Sequence, residues 1–201
     1  MRIVNTGFHR ILEVFSKYFF LNMLWLFLCL PVFTVFASTA AMFAVVRNWT
    51  LQKETSHYLA DFIYQFKTNF IKSTLVGITW SFFGLVIGLY TFINLQVSST
   101  ILFVALIFIS LVYFFISGYL FPVLVHYDIE FRNIFKFSFI YSFSQIGYTF
   151  LIFLIKIIFG LVIFLQPFFI LILFSVCTHI VYFICQKSFS KIEKRYTDSN
   201  K

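Results

Sequence analysis

A chain of 201 residues that is 61% hydrophobic and 11% charged departs from soluble domains, for which about 45–50% apolar and about 25% charged are typical. Phenylalanine alone supplies 33 residues and mean hydropathy is +0.96; one small core cannot hide that much apolar surface, so its solvent is lipid, which excludes disorder, a coiled coil, a disulfide scaffold and a nucleic-acid domain. The net charge of +8 comes from basic residues between apolar stretches, which points to topology and anionic headgroups and not to nucleic acid.

In chain order, Val4, Phe8, Ile11, Leu12 and Phe15 form a weak helical stripe, with Arg10, Glu13 and Lys17 off it. The apolar run Tyr18–Phe36 follows. It is too long for a signal h-region and is interrupted by Pro31, so it reads as an uncleaved first span. Ser38–Trp49 is small and apolar but short for a crossing; it is either a return helix or a re-entrant piece. Leu59, Phe62, Ile63, Phe66 and Phe70 make a second amphipathic stripe leading into the run Ser73–Ile93. Ser99–Phe121, the apolar but aperiodic stretch Ile129–Phe143, and the runs Tyr148–Leu165 and Phe168–Cys185 complete the chain.

The expected fold is all-α: a polytopic transmembrane helical bundle of five strong spans and a short sixth, with cytoplasmic amphipathic helices. It forms a single integral membrane domain over 1–201, divisible into helical-hairpin units 1–50, 51–125 and 126–187, with a basic cytoplasmic tail over 188–201. The amphipathic stretches fit interfacial helices that feed the next span better than partner-docking helices.

No P-loop, HExxH, GxSxG elbow or paired Cys/His spacing occurs, so no catalytic, cofactor-binding or metal-binding residue is assigned, and an intramembrane enzyme ranks last. Cys29, Cys177 and Cys185 read as buried small hydrophobes, and His9, His57, His126 and His179 are scattered. Three intramembrane polar residues are candidates for function. Lys156 sits near the middle of its run, where a charge costs roughly 3 kcal/mol; it is either a substrate or ion contact, or an amine that pairs or reaches an interface. His179 fits a satisfied bundle histidine better than a proton relay. Asn22 fits an interhelical hydrogen-bond donor. Gly77, Gly84 and Gly88 fall on nearly one helix face, with Phe82, Phe83 and Leu89 turned elsewhere; the glycines are expected to pack against a helix, within the chain or across a homodimer.

Leu21-Asn22-Met23-Leu24-Trp25-Leu26, then Leu30-Pro31, then the segment from Ser38 through Thr39, Ala40 and Ala41 to Arg47 and Trp49 resemble the opening signature of the YesL-like family, bacterial integral membrane proteins of unknown function. Asp61-Phe62, Phe66-Lys67 and Asn69-Phe70-Ile71-Lys72 resemble its next block, so the resemblance covers about residues 18–90. The family carries no established catalytic residues. Its genes stand beside carbohydrate ABC transporter components and polysaccharide-degrading enzymes in Gram-positive bacteria, so the resemblance implies, by association alone, an accessory subunit partnered with ABC sugar-uptake proteins. The alternative is a small transporter, alone or as a dimer, with Lys156 and His179 lining its path.

Lys and Arg number three in residues 1–17, four in 47–72, two in 126–147 and five in 186–201, while the connectors 94–98 and 166–167 hold none. By the positive-inside rule the charged segments are cytoplasmic, which needs four crossings after residue 72. Two further crossings between 18 and 50 would place both termini in the cytoplasm of a cell-membrane protein; five crossings with an external N-terminus is the alternative.

Overall fold

The computed structural model describes residues 2–51, 58–97, 99–127 and 129–199, of which 2–11, 97, 196 and 199 by their backbone alone. The helices are α1 (Arg2–Leu28), α2 (Val35–Thr50), α3 (Tyr58–Val97), α4 (Thr100–Ser117), α5 (Leu120–His126), α6 (Phe131–Ser144), α7 (Ile146–Leu165) and α8 (Ile170–Ser199). Among the described residues there is no strand, and five helical segments are long and apolar enough to cross a membrane. The chain is a membrane-type helical bundle.

The run Tyr18–Phe36 is not one span. Its first part ends α1 at Leu28, a 3-10 turn over Val32–Thr34 follows, and Phe36 already belongs to α2. Pro31 cannot continue a helix, and Thr34 Oγ1 lies within hydrogen-bonding distance of the carbonyls of Leu28 and Pro31, serving a carbonyl that the helix end leaves unpaired. The chain then turns back on itself. Trp25 Nε1 donates to Thr39 Oγ1 at 3.2 Å, and the ring of Tyr18 meets the edge of Trp49 at 5.6 Å, so α1 and α2 are antiparallel.

The short segment Ser38–Trp49 is the heart of the bundle. Ala37, Ser38, Ala40, Ala41, Met42, Phe43, Ala44, Val45, Val46 and Asn48 of α2 are all buried, and α1, α3, α5 and α8 pack around it. Lipid is as apolar as leucine, so helices gain by close backbone approach, which alanine and serine permit. Small side chains therefore select the centre.

The second amphipathic stripe and the following run fuse into α3, whose 40 residues reach about 60 Å at about 1.5 Å per residue. Of the stripe, Phe62 is buried against the bundle, while Leu59 and Ile63 remain exposed; Ser73, Val76 and Gly77 continue the buried face. Leu12 and Phe15 of the N-terminal stripe are exposed as well. The run Ser99–Phe121 also divides, at Gly118–Tyr119. A Cβ on Gly118 would stand 3.1 Å from Ile152 Cγ2 of α7, and Pro122 falls in the first turn of α5, where its missing N–H is tolerated. Ile129–Phe143 becomes α6, whose buried face is Ile134, Ser138, Tyr141 and Ser142. α8 runs far past Cys185, carrying residues 188–199 as helix with Ser188, Phe189 and Ile192 buried.

Several contacts gather the basic segments at one end of the molecule. Asn48 Nδ2 donates to Asp61 Oδ2 at 2.9 Å, Arg47 reaches the Val125 carbonyl, Tyr127 donates to Glu193 Oε1 at 2.7 Å, and Lys191 Nζ lies over the ring of Tyr148.

Candidate functional site

A cavity of about 410 Å³ lies inside the bundle, within the usual size range of small-molecule sites. Its wall is drawn from five parts of the chain: Thr39 and Phe43 of α2, Trp80 of α3, Ser117 and Pro122 on either side of the α4–α5 break, and spaced residues on one face each of α7, among them Lys156 and Gly160, and of α8, among them Phe174 and Thr178.

Lys156 supplies the one basic group in this wall. Its Nζ donates to the Ser117 carbonyl at 3.3 Å, and among the described residues no carboxylate pairs with it. The cavity's hydroxyls are committed locally. Thr39 Oγ1 donates to the Val35 carbonyl at 2.7 Å while accepting from Trp25, and Thr178 Oγ1 donates to the Phe174 carbonyl at 2.8 Å. Trp80 Nε1 is buried without a partner. The result is an apolar chamber with one amine.

The other sequence candidates sit elsewhere. His179 is outside the cavity wall; its Nδ1 meets the Tyr18 hydroxyl at 2.8 Å, tying α8 to α1. Asn22 is fully buried, and its Nδ2 donates to the Ile170 carbonyl at 2.6 Å, fixing α1 to the start of α8. Trp25 stacks on Phe174 at 4.1 Å, so this motif residue lies directly behind the cavity wall, of which the motif residue Thr39 is itself a part. Arg47 and Asn48 tie the end of α2 to α5 and α3. The glycine face divides. The Phe36 ring occupies the place a Gly77 Cβ would take, and the Tyr113 hydroxyl stands 2.5 Å from that of Gly84, but nothing lies within 4 Å of that of Gly88. Phe82, Phe83 and Leu89 are exposed. His57 lies outside the described residues, as does the side chain of His9.

A polar network at the basic end has no counterpart in the sequence reading. His126 Nδ1 meets the Tyr182 hydroxyl at 2.9 Å, and the hydroxyls of Tyr127 and Tyr141 are 2.6 Å apart. Burial, with the Tyr141 hydroxyl and the Glu193 carboxylate alongside, holds the Tyr127 phenol well above its ordinary pKa. Partners 56 and 66 residues apart leave no periodic signal. Among the described residues no three His, Cys, Asp or Glu side chains come together as a metal site.

Residues 18–91 match the family described as "Protein of unknown function, DUF624". The chain is 33% identical over 194 residues to the uncharacterized protein YteU of Bacillus subtilis (strain 168), covering 89% of this chain and 85% of that protein. It is 28% identical over 151 residues to the uncharacterized protein YesL of the same organism, covering 74% and 72%. No solved structure matches. The YteU match extends the likeness well beyond the opening signature, and with it the chain belongs to the YesL-like DUF624 family of unknown function.

Proposed function

We propose that the protein is a partner subunit in the cell membrane, acting by interaction and not by chemistry, within a carbohydrate ABC uptake system of a Gram-positive bacterium. The observation that carries this reading is the α3–α4 hairpin. Among its described residues from Ser81 to Ile109 only Asn94 and Leu106 are buried, and Gly88 leaves backbone open on an exposed face. A long apolar hairpin that the rest of the chain leaves uncovered, with a small residue at its surface, suits docking against another membrane helix. The carbohydrate assignment rests on the gene neighbourhood of the family. A photo-crosslinking amino acid at Phe108, which is 68% exposed, is expected to form an adduct with the membrane subunit of such a transporter in native membranes. Adducts with lipid alone would remove the reading; an adduct with a second copy alone would replace the transporter by a homodimer.

The second reading, a small transporter, draws on the cavity around Lys156. It predicts a substrate path, whereas the docking reading needs none.

In the orientation we propose, the end that gathers Arg47, Tyr127 and Glu193 faces the cytoplasm, with both termini, and the bare turns after α3 and α7 face outward. The charge count along the sequence supports this orientation, and the antiparallel α1–α2 pair supports a return of the chain before residue 51.

A further inference from the structure

The seven acidic residues of the chain are Glu13, Glu54, Asp61, Asp128, Glu130, Glu193 and Asp198. None lies between 62 and 127 or between 131 and 192, so α4, α5, α6 and α7, and α8 as far as residue 192, contain no carboxylate. In the stretch from residue 137 to residue 186 the one Lys or Arg is Lys156. The membrane-embedded part therefore holds a basic side chain and no acidic one of its own beside it. Intramembrane cations normally pair with another side chain, with backbone carbonyls or with a ligand. Here the protein supplies one carbonyl, that of Ser117, at 3.3 Å. An ammonium has three donors, and the remaining ones face a cavity.

The cavity's form says what kind of anion fits. Its walls are Phe43, Trp80, Phe159 and Phe174 with few free polar groups, which suits an apolar body and repels a hydrophilic ion or a sugar. On the α7 side the wall includes Gly160, which is exposed and has nothing within 4 Å of its Cβ position. That leaves a gap on the lipid side of the bundle. A ligand entering there comes from the bilayer.

We propose that this cavity binds an amphiphile with a single anionic head, a carboxylate or a phosphate, that pairs with Lys156 Nζ while its apolar chain lies along Phe43, Trp80 and Phe174. The site lies apart from the exposed stretch Ser81–Ile109 and stands whether or not that stretch docks a partner. Recognition is electrostatic at one point and apolar elsewhere, so the head charge, not the chain, decides between ligands.

The full-length protein in neutral detergent, titrated and read by native mass spectrometry, tests this with three probes of one chain length: oleate, oleoyl lysophosphatidate and monooleoylglycerol. At least one of the two acids is expected to bind one per chain, at least tenfold more tightly than the neutral glyceride, and the stronger of them identifies the head group. Lys156→Met is expected to weaken the acid at least tenfold and leave the glyceride unchanged. Gly160→Leu, which keeps the amine and fills the gap, is expected to weaken acid and glyceride together, and decides the matter should Lys156→Met fail to fold. Equal binding of acid and glyceride by the unaltered protein, or acid binding undiminished in either variant, would overturn the proposal.

Discussion

Replacing Ala44 or Ala41 by leucine is expected to damage this protein more than any substitution of a lipid-facing residue. Both alanines are fully buried in α2, and α2 is packed by four other helices. Three extra carbons there must displace the side chains packed on them or push the neighbours' backbones apart. Overpacking of this kind costs typically about 1–3 kcal/mol, and more where the walls cannot give way. In lipid the loss is not offset by the larger residue's burial, since leaving the bilayer for the core gains no hydrophobic free energy. Thermal unfolding of the detergent-solubilised protein should show a clear fall in Tm and in recovered monodisperse protein for each variant. Val104→Leu, on an exposed face of α4, should melt like the parent. An Ala44→Leu protein as stable as the parent would show that α2 is not the tightly packed centre.

The second large effect is expected from Arg47→Met. The guanidinium reaches the Val125 carbonyl in the last turn of α5 and the Asn48 side chain, whose amide in turn donates to Asp61 of α3. Val125 offers one of the carbonyls that a helix end leaves unpaired, and a cation at a helix C-terminus also complements the backbone dipole. Removing a hydrogen bond to a charged group costs about 1.5–3 kcal/mol, and methionine keeps the length without the donors. Arg47→Lys should recover only part of the loss, because a single ammonium cannot span both acceptors as the planar fork does. The same melting measurement separates the three proteins; an Arg47→Met Tm equal to the parent's would contradict the role.

How far the sequence disclosed this architecture depends on what kind of residue carries each contact. α7 and the apolar part of α8 are nearly continuous runs of large aliphatic residues, so hydropathy alone places them. α2 is harder: Ala37, Ser38, Ala40, Ala41 and Ala44 lower its apparent length and hydropathy, yet they are what allows four helices to close on it. Pro31 interrupts the run Tyr18–Phe36, yet hydropathy reads that run as one span; the break there, and the hydroxyl of Thr34 that serves the helix end, are matters of geometry. α6 defeats a periodicity argument because Ser138 and Ser142 occupy its buried face, where a hydrophobic count expects apolar residues. Lys156 stood out as a lone charge. Its surroundings did not, since Thr39, Trp80, Ser117 and Thr178 come from separate helices and meet only after packing.

The proposed topology turns on the antiparallel α1–α2 pair: in it the short α2 carries the chain back across the membrane. Reporter fusions at residue 1, within the connector at Ser98 and after Lys201 read this most directly, since a phosphatase reporter is active only outside and a fluorescent protein only inside. A cytoplasmic signal at residues 1 and 201 with an external signal at Ser98 is the predicted result. An external signal at residue 1 alone would remove the α1–α2 return; an external signal at residue 201 would contradict the whole arrangement.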